Sequence, residues 1–122
     1  MNTVFTILIV TLGVLHLGIM GLEMFASQST QANAFDMDAE FVAQSGAQTA
    51  LKNQGIYNGM LGALLVASAF LPAGQVKVMA QLGLALFVLI VGIFGGLTAT
   101  KKIFLVQALP AAITIALGLL AY

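Results

Sequence analysis

Apolar residues fill four long stretches of the chain, at 4–25, 56–71, 76–97 and 103–122, while polar residues gather in one interval, 26–53. A helix needs about 20 predominantly apolar residues to cross a bilayer core, and each stretch approaches that length. The connections after the second and third stretches, "PAGQ" at 72–75 and "TATKK" at 98–102, are short. Short connections make sequential helices antiparallel neighbours. The pattern therefore predicts an all-α fold: an integral membrane up-down four-helix bundle, with 1–122 as a single transmembrane domain. The first stretch reads as a span and not as a signal peptide, in spite of the small-residue "ANA" at 32–34. It exceeds the about 7 to 15 residues of a signal-peptide core, and no Lys or Arg precedes it.

The polar interval opens with "SQSTQANAFDMDAEF" at 27–41 and carries acids at Asp36, Asp38 and Glu40. Asp38 is placed to cap a helix running through "AEFVAQSGAQTALKNQG" at 39–55, with Phe41, Val42, Ser45, Gln48 and Leu51 along one stripe. This predicts an interfacial amphipathic helix that feeds the second span and can run on into it without a break. Acids at a helix N-terminus suit its dipole, so the three read as a solvated charge cluster in preference to a cation site.

Composition agrees with a membrane protein: 61% of the 122 residues are hydrophobic and 7% charged, against roughly a quarter charged in soluble domains. Net charge is zero and the lysines are dispersed, which leaves no basic field for nucleic acid. Without Cys, and with a single His, the chain offers no disulfide, thiolate nucleophile or multi-His metal site. No metal or cofactor is expected. Lys52, Lys101 and Lys102 fall in the first and third loops and Lys77 on the opposite side. The positive-inside rule then places those loops in the cytoplasm and both termini outside.

Within the spans the ionisable residues are His16 and Glu23, seven apart on one face of the first helix. An ionisable group in a membrane is costly and marks a functional candidate. With the middle of the first span near residue 15, His16 lies close to the midplane. Glu23 lies roughly 12 Å toward the first loop, at about 1.5 Å rise per residue. Counting depth in the same way puts Gln54 and Asn58 of the second span, and Gln107 of the fourth, in the same leaflet as Glu23. Gln107 shares a face with Thr114, and Pro110 withdraws the helical partner of the Val106 carbonyl. Asn53 and Tyr57 stand at the mouth of the second span, Tyr57 as an interface marker. Small residues at Gly55, Gly59 and Ala63, and the pair Gly92 and Gly96, allow close helix approach.

"HLGIMGLEMF" at 16–25, "NQGIYNG" at 53–59 and "QALPAA" at 107–112 resemble a family of small bacterial four-helix membrane proteins catalogued as domain of unknown function 1304. The resemblance implies a four-helix fold and a bacterial inner membrane, and imports no activity. Hydrolase, zinc and nucleotide signatures are absent.

Three functions follow from these residues. The first is an intramembrane polar pocket for a small amphipathic or lipid-like molecule, with Glu23 and His16 exchanging charge or protons and Gln54, Asn58, Tyr57, Asn53 and Gln107 orienting the ligand. Catalysis is not required by this reading; if present, it is proton transfer, such as isomerisation of a lipid-soluble substrate. The second is a proton-coupled small transporter acting as a dimer. The third is an accessory protein whose glycine rows bind partner helices; the same rows also allow a homo-oligomer.

Overall fold

The computed structural model describes residues 2–122. These form α1 (Thr3–Phe25), α2 (Gln28–Phe35), α3 (Ala39–Val42), α4 (Ser45–Ser68) and α5 (Gln75–Thr98). A π-helical segment, Phe104–Ala108, then leads into α6 (Leu109–Ala121). The fold is all-α, with no strand among the described residues. Three of the helical stretches, Thr3–Phe25, Gln75–Thr98 and Phe104–Ala121, are long and apolar enough to cross a membrane. The 24 residues of α4 suffice in length, but its first half carries Gln48, Lys52, Asn53 and Gln54 and is too polar to qualify.

The first connection differs from its sequence expectation. Asp38 does cap a helix, accepting a hydrogen bond from the Glu40 N–H at 3.3 Å, but that helix ends at Val42 and the chain restarts at Ser45. From Ser45 onward the amphipathic segment does run on into the second apolar stretch as one continuous helix, α4, so the departure is the break at residues 43–44. A further helix, α2, occupies what composition reads as loop. Ser27 caps it by accepting from the Thr30 N–H, and Asp36 ends it in the left-handed conformation at φ 52° and ψ 42°, a C-terminal device open to Asn, Asp and Gly.

The long helices alternate in direction. Along α1 and α4, Gly13 meets Gly62, Met20 meets Gly59 and Met24 meets Gly55. Along α5 and the chain that follows, Gly92 meets Ala108 and Gly96 meets the ring of Phe104. The two chain ends meet where the Asn2 N–H donates to the Tyr122 hydroxyl at 3.1 Å and the Phe5 and Tyr122 rings stand edge to face, 6.0 Å apart. At that end Lys77, 3% exposed, donates to the Ala69 carbonyl, and Gln81 reaches the Ser68 carbonyl at 3.4 Å. Lys77 serves a carbonyl at the end of α4 that no backbone N–H reaches, while the Ser68 carbonyl also accepts from the Leu71 N–H at 3.3 Å.

The small-residue row on α4 is Gly55, Gly59 and Gly62, with Ala63 exposed. At 3.6 residues per turn, a strict four-residue row rotates about 40° per step and leaves the contact face, whereas a four-then-three alternation stays on it. The apolar core of Phe5, Ile9, Leu12, Leu65, Ala85, Val88 and Ala111 fills the half of the molecule nearer the termini. The half nearer the first and third connections holds buried Glu23 and Gln31 among apolar side chains such as Ile19, Leu22 and Leu51.

Candidate functional site

Glu23, two turns beyond His16 on α1, is 2% exposed. It reaches that depth beside α4 because Gly55 gives α1 room: a Cβ there would strike the side chains of Met24 and Glu23. One turn further along α4, the Asn58 amide nitrogen donates to both carboxylate oxygens of Glu23, at 3.0 and 3.1 Å. No cation pairs with Glu23; among the described residues the ion pair is Lys102 with Asp36, at 2.9 Å.

A chamber of about 190 Å³ adjoins the carboxylate. Ile19, Leu22 and Glu23 line it from α1, and Leu51 and Gln54 from α4. Ala99, Thr100, Lys102 and Ile103 follow α5, Val106 and Gln107 belong to the π-helical segment, and Ala34, Phe35 and Met37 form the roof. The π-helical segment positions Gln107 here. Its register closes with the Leu109 N–H bonding the Phe104 carbonyl, five residues back, just ahead of Pro110, which has no N–H to continue the ordinary pattern.

Glu23, Gln54, Asn58 and Gln107, which share one depth along their helices, lie around this cavity and a groove that opens beside it between α4 and α5. His16 does not line either space. It is wholly buried, its Nδ1 lies 2.8 Å from the Leu12 carbonyl, and its Nε2 has no partner. Because a carbonyl only accepts, Nδ1 carries the hydrogen and Nε2 of the neutral ring is a bare acceptor. Tyr57 is 71% exposed on the groove, and Asn53 is exposed outside both spaces.

The roof is held by Gln31, which the sequence pattern does not single out, and by Asp36, which that pattern places in a solvated charge cluster. Gln31, 1% exposed, donates from its amide to the Leu22 and Glu23 carbonyls at 3.1 Å each and accepts from Gln48 at 2.9 Å. It thereby serves carbonyls left open at the end of α1 and ties α2 to α4. At the other end of α2, Asp36 accepts from the Thr100 hydroxyl at 2.5 Å and from Lys102 at 2.9 Å. Lys102 also donates to the Asn33 carbonyl at 2.8 Å. Asp36 is thus a latch to the third connection and not part of a helix N-terminal charge cluster.

Replacing Gln31 by Leu leaves both α1 carbonyls and the Gln48 amide without it. The expected result is loosening of α2 by about 1–3 kcal/mol, read as faster amide exchange across 28–35 with α5 unchanged. The Asp36 latch gives a pH dependence of known sign. The Thr100 hydrogen bond, and then Lys102, hold the Asp36 carboxyl below its ordinary 3.8. Its contribution is complete above that unfolded value and is lost as pH falls through the lower folded one. Protection of the α2 amides, taken relative to their intrinsic exchange rate at each pH, should therefore fall on acidification through that range, and Asp36→Asn should remove that fall.

The family model described as protein of unknown function (DUF1304) matches residues 10–119. The uncharacterized protein YpaA of Lactococcus lactis subsp. lactis (strain IL1403) is 40% identical over 90 residues, covering 73% of this chain and 74% of that protein. No solved structure matches.

Proposed function

We propose that this chain, which belongs to the DUF1304 family, spans a membrane as an up-down four-helix bundle and binds a small amphipathic or lipid-like molecule beside Glu23. Support for insertion comes from the apolar exterior: Ile7 and Val14 on α1, Met79, Phe87 and Ile90 on α5, and Leu119 on α6 all face outward. A contiguous surface of this kind is a membrane or partner face. The polar first half of α4 then lies at the edge of the hydrocarbon, under α2, and the second half completes the span.

The observation that carries the binding reading is a buried carboxylate held by one amide, with an unfilled space at its side. Helix glue alone is made as well by two amides, which cost less to bury than a carboxylate. The transporter reading draws on the same carboxylate. The accessory reading draws on glycine rows, and Gly55, Gly59, Gly62, Gly92 and Gly96 face helices of this same chain.

The test is purification in native lipid, with bound small molecules identified by mass spectrometry. Wild type should retain a defined molecule that Glu23→Gln and Asn58→Ala both lose. Retention of the same molecule by both variants overturns the proposal. Proton-driven uptake into vesicles that is lost in Glu23→Gln, with no molecule retained, supports the transporter in its place.

A further inference from the structure

The chamber is not the whole of the space available to a ligand. At the terminal end α4 and α5 are joined through Lys77 and Gln81, but toward the first connection they part. A groove of about 810 Å³ runs between them, with Leu61 and Leu64 on one wall and Phe87 and Phe94 on the other. Phe94 is 68% exposed, so the groove opens sideways. Gln54, Ala99, Ile103 and Gln107 border both the chamber and the groove and form the threshold between them. Asn58 lies on the groove side and Glu23 on the chamber side. At about 300–1,000 Å³ for ordinary ligand sites, the chamber alone is small and the groove is of full size.

Charge selects what the chamber takes. Lys102 and Asp36 satisfy each other, and the amides of Gln54 and Gln107 are neutral. The unbalanced group is Glu23, whose oxygens receive donors from Asn58 alone. A buried carboxylate of this kind is completed by a cation or a strong donor. A phosphate brought alongside would meet like charge in a confined apolar space, which argues against a phospholipid head.

We infer that the site accepts a free single-chain amphiphile with a primary ammonium head, which slides from the lipid-facing side between α4 and α5, passes the Gln54 and Gln107 threshold, and lodges its head at Glu23 with its chain in the groove. This rests on the pocket reading above and adds head charge and route to it.

The chain has no Trp, so Phe94→Trp provides a sole indole reporter in the groove. The full chain is reconstituted in phosphatidylcholine vesicles and titrated with bromodecylamine, bromodecanol or bromodecanoate, whose bromine quenches a neighbouring indole. Saturable quenching by the amine is expected, with roughly tenfold preference over the carboxylate. Glu23→Gln, which keeps the shape of the side chain, should abolish that preference. Ala99→Phe, which narrows the threshold and leaves Glu23 in place, should weaken amine binding about tenfold.

Equal quenching by all three probes, unchanged in Glu23→Gln, overturns the ammonium assignment. Quenching that phosphatidylethanolamine vesicles suppress assigns the head to a lipid and overturns the free amphiphile. No saturable quenching, while a Glu23-dependent molecule still co-purifies, overturns the lateral route and leaves the pocket standing. Failure of co-purification as well removes the pocket reading itself.

Discussion

Gly62→Ala should destabilise the protein by about 1–3 kcal/mol, although alanine is the better helix former by about 1 kcal/mol. A Cβ at position 62 would stand 2.7 Å from the Gly13 carbonyl oxygen and 3.0 Å from the Leu17 amide nitrogen. Both are backbone atoms, so no rotamer change relieves the overlap and the helices must separate. The reciprocal change, Gly13→Ala, meets the Gly62 carbonyl at 2.8 Å and the side chain of Val66 at 2.7 Å. Each change forces the same crossing apart, so the double variant should cost less than the two single costs added.

Gly18→Ala and Gly21→Ala serve as internal controls, because a Cβ at either meets nothing within 4 Å. They should be neutral or stabilising by up to about 1 kcal/mol. Unfolding in mixed micelles followed by circular dichroism reads all five variants. Asn58 sits about one turn from Gly62 on α4, so separation at the crossing also draws its amide away from Glu23. Gly62→Ala should therefore lose bound ligand more readily than its stability alone dictates, whereas the control glycines should not.

The same crossing shows what the chain discloses on inspection and what it hides. Helix identity and the grouping of Glu23, Gln54, Asn58 and Gln107 follow from rise per residue and from which end of each helix faces the first connection. That geometry holds whatever the side chains do. The packing face of α4 is less legible: four-residue spacing suggests Ala63, and the partner helix selects Gly62. The roof is least legible. The sequence of α2, "QSTQANAF", is polar and short, and isolated helices of that length are marginal in water. It is fixed by Gln31 to carbonyls eight and nine residues away and by Asp36 to Thr100, 64 residues on. Such tertiary bonds have no counterpart in local periodicity. His16 marks a further limit: its seven-residue spacing from Glu23 suggests a shared site, but its ring turns to the Leu12 carbonyl within its own helix.

A double-variant cycle across Glu23 and Asn58 should separate a binding site from helix glue. Asn58→Leu removes the amide that donates to both oxygens of a 2% exposed carboxylate, and is expected to cost about 2–4 kcal/mol. Glu23→Leu leaves the Asn58 amide facing an apolar side chain and is expected to cost about 1–3 kcal/mol, toward the low end because Asn58 is half-buried. The Leu pair leaves neither group stranded, and its stability should lie within about 1 kcal/mol of wild type or above it. Unfolding in micelles measures all four corners. A polar pair that an apolar pair replaces without loss of stability is not maintained by folding, and its retention points to work done at the site. If the Leu pair instead loses as much as the two single changes together, the hydrogen bonds hold the helices in their own right and the binding proposal loses its main support. The same Leu pair, folded and stable, should carry no ligand through purification, so stability and binding part company in one molecule.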